Sequence, residues 1–199
     1  TLRITEGANI ITVTDNGAGD INPFIGAVVF SGTVGNFIVN TVSGVTKPIL
    51  GSSASPLLDL NSLNINGLSA SQITLEFSEN NFTAPGPTLD LPSLIGGSTV
   101  GTLQYQTFAS LTNTEFARDI LIADSGVLTG GFLFQELATI AISGSFSLTT
   151  VVTITHGAQF SNSSFNAILE ISEPALAPPI VIGILVLSAN MALRRRKRR

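Results

Sequence analysis

The chain of 199 residues contains no cysteine, no tryptophan, one histidine and one tyrosine. Without cysteine there is no thiol catalysis, no Cys-ligated zinc and no iron–sulfur cluster. A domain of this length holds together without disulfides, because its core is large enough. The lone histidine, His156, would have to serve any Ser-His-Asp triad, and no Gly-x-Ser-x-Gly elbow accompanies it. A zinc site would find only scattered carboxylates as its remaining ligands. His156 ends the apolar register of a strand, so its expected role is structural or at a rim. With Tyr105 as the sole ring bearing a polar handle, stacking recognition of sugars has little to work with. The 12 phenylalanines fall mainly on apolar registers and read as core.

Positive charge is scarce before the C terminus. Of nine Lys and Arg, six form the run Arg194 to Arg199, leaving Arg3, Lys47 and Arg118. Of 13 acids, all but Glu173 precede residue 173, so three cations against twelve acids give residues 1–172 a formal charge of −9. The whole-chain value of −4 conceals this. Such a surface offers no basic footprint for nucleic acid and is repelled by DNA and anionic lipid. The sequence opens at Thr1 with neither methionine nor an apolar leader core, so a separate export signal is expected.

What is present before residue 172 is strand signal. Short runs of Val, Ile, Thr and Phe are punctuated by Gly, Asn, Ser and Pro, the pattern of a sandwich or barrel. Ile73, Leu75 and Phe77 alternate with Thr74, Glu76 and Ser78; Phe146, Leu148, Val152 and Ile154 share a face, as do Phe165, Ala167, Leu169 and Ile171. Strands are expected near 2–6, 9–14, 25–31, 35–42, 57–66, 72–78, 100–109, 126–134, 140–156 and 164–171. A slip in alternation between Leu60 and Leu63 places a bulge at Asn61-Ser62. Residues 114–123 fit a helix capped by Asn113 or a buried strand, with strand preferred. Ala84-Pro85-Gly86-Pro87 and Gly96-Gly97 read as turns or loops. The predicted fold is an all-β, antiparallel sandwich of the jelly-roll kind over residues 1–171.

Two groups of oxygen ligands invite chemistry. Asp15, Asn16, Asp20 and Asn22 lie on a glycine-flexed loop, and calcium prefers such oxygens, although Asp-Asn-Gly is equally ordinary turn chemistry. Glu76 and Glu79 suit a glycosidase pair only if they share a face; alternation puts them on opposite faces, so solvated strand-face charges are expected. Asn81-Phe82-Thr83 and Asn162-Ser163-Ser164 match glycosylation sequons.

The tail is of another kind. Ser172-Glu173-Pro174 leads into the uncharged run Ala175 to Leu193, then Arg194-Arg195-Arg196-Lys197-Arg198-Arg199. As a helix, residues 175–193 span roughly 28 Å, close to a bilayer's hydrocarbon thickness. The cations cannot cross, so they stay cytoplasmic and leave residues 1–172 on the other side. A single C-terminal transmembrane helix after the sandwich is therefore expected.

The tripartite order resembles the PEP-CTERM sorting signal of Gram-negative bacteria, a Pro-Glu-Pro-like motif, a short transmembrane helix and an arginine-rich end. Glu173-Pro174 matches two motif residues, and Ser172 stands where the family has proline. The stretches 15–23, 30–37, 56–63 and 147–156 are similar to a recurring exported bacterial domain found ahead of such tails, which brings no activity with it. The resemblance implies export, processing near Glu173-Pro174 by an exosortase-type protease, and delivery to the cell surface or a biofilm's exopolysaccharide matrix. The partners implied are the inner membrane, that protease and exopolysaccharide. The expected function is structural or adhesive and non-enzymatic, with no obligatory cofactor. An extracellular module binding polysaccharide or calcium is the alternative.

Overall fold

The computed structural model describes residues 1–171. The sorting motif 172–174, the apolar run 175–193 and the basic run 194–199 lie outside the described residues. Ten strands follow in order: β1 (Leu2–Glu6), β2 (Asn9–Val13), β3 (Ala27–Val34), β4 (Phe37–Val45), β5 (Leu57–Gly67), β6 (Ser71–Thr83), β7 (Thr88–Ser110), β8 (Ile120–Ala141), β9 (Ser145–His156) and β10 (Asn162–Glu170). Every pairing is antiparallel. Among the described residues there is no helix, hence none long and apolar enough to cross a membrane.

The strands hydrogen-bond in the order β2-β1-β6-β9-β7-β10-β5-β4-β3, with β8 on β7. β7 belongs to both halves of this path. Ser93–Thr99 pairs with β10, and Thr102–Ser110 pairs with β9. Between them the chain turns at Gly101, whose φ of 147° disfavours other residues and whose missing Cβ makes room for the Thr155 carbonyl. β8 follows the turn with a register slip opposite Thr99 to Leu103. A strand that changes sheets at a bend makes the corner of a sandwich. The two halves close face to face into a nearly closed, sandwich-like shell.

One core fills it. The alternating residues expected to face inward do so: Ile73, Leu75, Phe77, Phe146, Leu148, Val152, Ile154, Phe165, Ala167 and Leu169 are all buried. Burying each larger side chain contributes about 1.5–3 kcal/mol. Gly44 of β4 marks a close approach of the layers, since a Cβ there would lie 2.5 Å from the Phe77 ring of β6.

Several sequence expectations need correction. Thr88–Thr99 is strand, and Gly96-Gly97 sits inside it. Gly97 is there because β10 presses close, and a Cβ would reach 2.8 Å from the Phe165 Cα. Residues 140–156 are not one strand, because the chain turns between Ala141 and Ser145. Of 114–123, only Ile120 onward is strand, extending β8. The bulge falls at Leu63-Asn64, two residues late: Ser62 keeps the inward register, Leu63 is exposed and Asn64 takes φ 58°.

Candidate functional site

The loop between β2 and β3 brings Asp15, Asn16, Asp20 and Asn22 together, and its geometry is that of a brace. Asp20 Oδ1 accepts the backbone N–H groups of Asn22 and Val29, each at 2.9 Å, and Oδ2 accepts that of Asn16 at 2.9 Å. Asp15 Oδ2 accepts from Gly26 N at 2.7 Å, while Oδ1 accepts from Asn16 Nδ2 at 3.0 Å. Asn22 Oδ1 caps the Phe24 N–H at 2.8 Å. The oxygens that would face a cation are thus engaged with the loop's own amides and with β3. Among the described residues, no three His, Asp or Glu side chains converge as metal ligands. Beside the loop, Asp15, Gly26, Val28, Thr46, Phe77 and Glu79 border a small open recess with room for about one water molecule.

Three ion pairs take up Arg3, Lys47 and Arg118, every Lys and Arg among the described residues. Glu76, expected as a solvated face charge, is buried. Arg3 donates to it twice, Nε to Oε2 at 2.5 Å and Nη2 to Oε1 at 2.8 Å, and Arg118 Nη2 donates to Oε1 at 2.6 Å. The alternation that put Glu76 on the outer face is correct. That face is covered by segment 111–119, whose Phe116 ring lies 4.1 Å beneath the Arg3 guanidinium. Burial pushes the Glu76 carboxyl up, but hydrogen bonds and charge from Arg3 and Arg118 outweigh it and hold it below the ordinary Glu value. Lys47 pairs with Glu79, donates to the Asn80 carbonyl at 2.5 Å and lies 4.4 Å from the centre of the Phe82 ring. Glu76 and Glu79 therefore serve separate cations and form no carboxylate pair. Segment 111–119 also covers Ser147 at the start of β9 and Ser78 of β6: Ser147 Oγ donates to the Thr114 carbonyl at 2.7 Å, and Ser78 Oγ accepts the Phe116 N–H at 3.0 Å.

A further carboxylate ties the two ends of the sheet. Glu6 of β1 accepts from Ser71 Oγ at 2.5 Å, from Asn36 Nδ2 at 2.9 Å and from Asn9 Nδ2 at 3.0 Å. These bonds, Ser71's first, hold it below the ordinary Glu value. Asn36 belongs to the β3–β4 turn, so Glu6 stitches one half to the other.

His156 is interior, where a rim position was one expectation. Its Nε2 lies 2.8 Å from Ser163 Oγ, which lies 2.7 Å from Thr99 Oγ1, and all three residues are buried. Nδ1 has no hydrogen-bond partner, Phe37 packs against the ring, and burial pushes the imidazole below its usual value. A histidine without a carboxylate behind it, sealed from solvent with its serine, has the layout of a core cross-link. The sequon amides are engaged as well, Asn81 with Asn80 and Asn113, Asn162 with Asn64 and Asn66.

Sequence reasoning missed the strand edge of β8. It is bonded to β7 alone, and Val127, Leu133 and Leu137 are 71%, 76% and 61% exposed. Near its start, Asp124 accepts from Gln104 and Gln106 of β7, both at 2.8 Å.

No protein-family model and no curated protein matches the chain. Among solved structures it is similar to the K3 adhesin domain of Lys-gingipain from Porphyromonas gingivalis W83, at 12% identity and a TM-score of 0.39, over 85% of this chain and 99% of that one. It is also similar to Arthrobacter globiformis T6 isomalto-dextranase complexed with panose, at 12% identity and 0.26, over 72% and 23% of the respective chains. A third likeness, at 15% identity and 0.34, is to infectious bursal disease virus Gx strain, over 89% and 52%.

Proposed function

We propose that this chain is a non-catalytic structural or adhesive component of a bacterial surface or exopolysaccharide matrix. In this reading a jelly-roll-like sandwich is displayed outside the cytoplasm. Its C-terminal segment crosses the inner membrane over residues 175–193, is stopped by Arg194 to Arg199, and offers Ser172-Glu173-Pro174 to an exosortase-type protease.

The observation supporting a structural role is where the reactive groups go. Arg3, Lys47, Arg118, Glu76, Glu6 and His156 all bind other parts of the shell, so the side chains that could activate a substrate are holding strands together. The 15–22 loop enters this reading as the strap that secures β3, and calcium is not needed for it.

Fractionation of cells expressing the tagged full chain, native or with Arg194 to Arg199 changed to alanine, tests the address. The native chain should be retained in the membrane or processed to the surface, and the variant should be misplaced or left unprocessed. Identical distribution of the two would remove the sorting reading.

A further inference from the structure

We propose that the Gly130–Ala141 part of β8 is a homotypic interface: two copies of this chain pair there, edge to edge and antiparallel, into one continuous sheet. The inference rests on the structural role proposed above and names the partner as a second copy.

The edges of the sheet are treated unequally. β2 is five residues long. The outer side of β3 is occupied by the 14–26 loop, with Val29 N donating to Asp20 Oδ1 at 2.9 Å and Val29 O accepting from Ile21 N at 3.0 Å. β8 has neither protection. Gly130–Ala141 runs in unbroken register with Thr99–Thr88, and no described strand pairs with its other side. Proteins blunt such edges with lysine, proline, bulges or brevity. This stretch has no Lys, Arg or Pro.

Its side chains are arranged for a twin. Leu133, Gln135, Leu137 and Thr139 face outward, while Phe132, Phe134 and Ala138 turn inward against the core and stay only half-buried. A two-fold axis through Gln135 sets Leu133 opposite the partner subunit's Leu137, and Leu137 opposite the partner subunit's Leu133. Phe132 meets the partner subunit's Ala138, and Phe134 meets the partner subunit's Glu136. Apolar pairs fall opposite each other on the outer face, and the half-covered rings gain a neighbouring strand. Shifting the axis to Glu136 would set like charges directly opposite and is disfavoured.

Charge favours the same choice. A domain at −9 repels its copies, so self-contact needs a strip where little charge is brought together. Gly130–Ala141 carries a single charged residue, Glu136.

The absence of cysteine makes the test direct. In an antiparallel pair, residues on the axis have Cα atoms about 4.5–5.5 Å apart, within disulfide reach. Full-length chain carrying Gln135→Cys, held in non-ionic detergent and mildly oxidised, should convert largely to a covalent dimer. Leu133→Cys alone should not, because its twin lies four residues away, roughly 14 Å along the strand. Leu133→Cys mixed with Leu137→Cys should cross-link. The native chain should elute as a dimer by light scattering, and Leu133→Lys as a folded monomer.

A native chain that stays monomeric at high concentration overturns the proposal. So does equal cross-linking by Leu133→Cys alone, which would report collision. A monomer with slow amide exchange at 130–141 would point to cover by the chain's own remaining segment, and a monomer with fast exchange there would leave the edge for another polypeptide. None of these outcomes touches membrane retention, so the address proposed above stands or falls separately.

Discussion

The β3 side and the β8 side of this sheet end in the same backbone groups, and the chain deals with them in opposite ways. At β3, one loop turns Asp20, Asp15 and Asn22 back on its own amides, and Glu6 ties the neighbouring turn to β1. At β8, twenty-two residues bond to one neighbour and present leucines to solvent. Polar side chains are concentrated where the shell must be closed and sparse where it is left open. The polar residues of the closed side are therefore read as structure, and the interaction surface lies where chemistry is least conspicuous.

Breaking the closed side should have the largest effects. Glu76→Ala leaves two guanidiniums facing a gap in a covered site and should cost about 3 kcal/mol in urea unfolding. The same carboxylate sets an acid limit. Its folded value is depressed, so its contribution is full above the unfolded Glu value and is lost as pH falls through the folded one. Glu6 acts in the same direction. Melting temperature should decline below roughly pH 4.5, and Glu76→Gln should flatten that decline.

Asp20→Ala comes next. It removes the acceptor of three backbone N–H groups and should cost about 2 kcal/mol, with faster amide exchange in β3 as the local signature. His156 gives a smaller, pH-bound effect. Because its folded value is depressed, the unfolded chain takes up the proton first, and stability should fall as pH drops below about 6.5 until the folded value is reached. His156→Gln should remove that slope from a stability-against-pH curve.

The smallest stability effect belongs to the open side. Leu133→Lys should change the unfolding free energy of the monomer by no more than about 0.5 kcal/mol, since the side chain touches little. A loss above about 2 kcal/mol would mean that the β8 edge contributes to the fold and would erase the contrast.

Most of this architecture was legible in period-two patterning, because inward residues of a half-buried strand must alternate. The expected bounds of β1 match the structure, and the apolar registers expected for β6, β9 and β10 are the ones that face inward. The first half of β7 was hidden by Pro92 and Gly96-Gly97. Pro92 precedes the β10 ladder, which begins at Ser93, and Gly97 makes room for β10. Both reasons are tertiary. Glu76 was misjudged for a related reason: alternation tells which face a residue takes, but only the path of segment 111–119 tells that this face is covered. The β8 edge escaped notice because a strand's second neighbour leaves no local mark in sequence. Asp15 to Asn22 could be read as ligands or as turn residues, and the hydrogen bonds to Val29 and Gly26 favour the turn.

The contrast between the two sides is tested most directly by amide hydrogen exchange on the full chain at several concentrations. The β3 amides should be protected throughout, and the amides of 130–141 that point away from β7 protected only as concentration rises. Equal, concentration-independent protection of both edges, or β3 exchanging as fast as dilute β8, would contradict it.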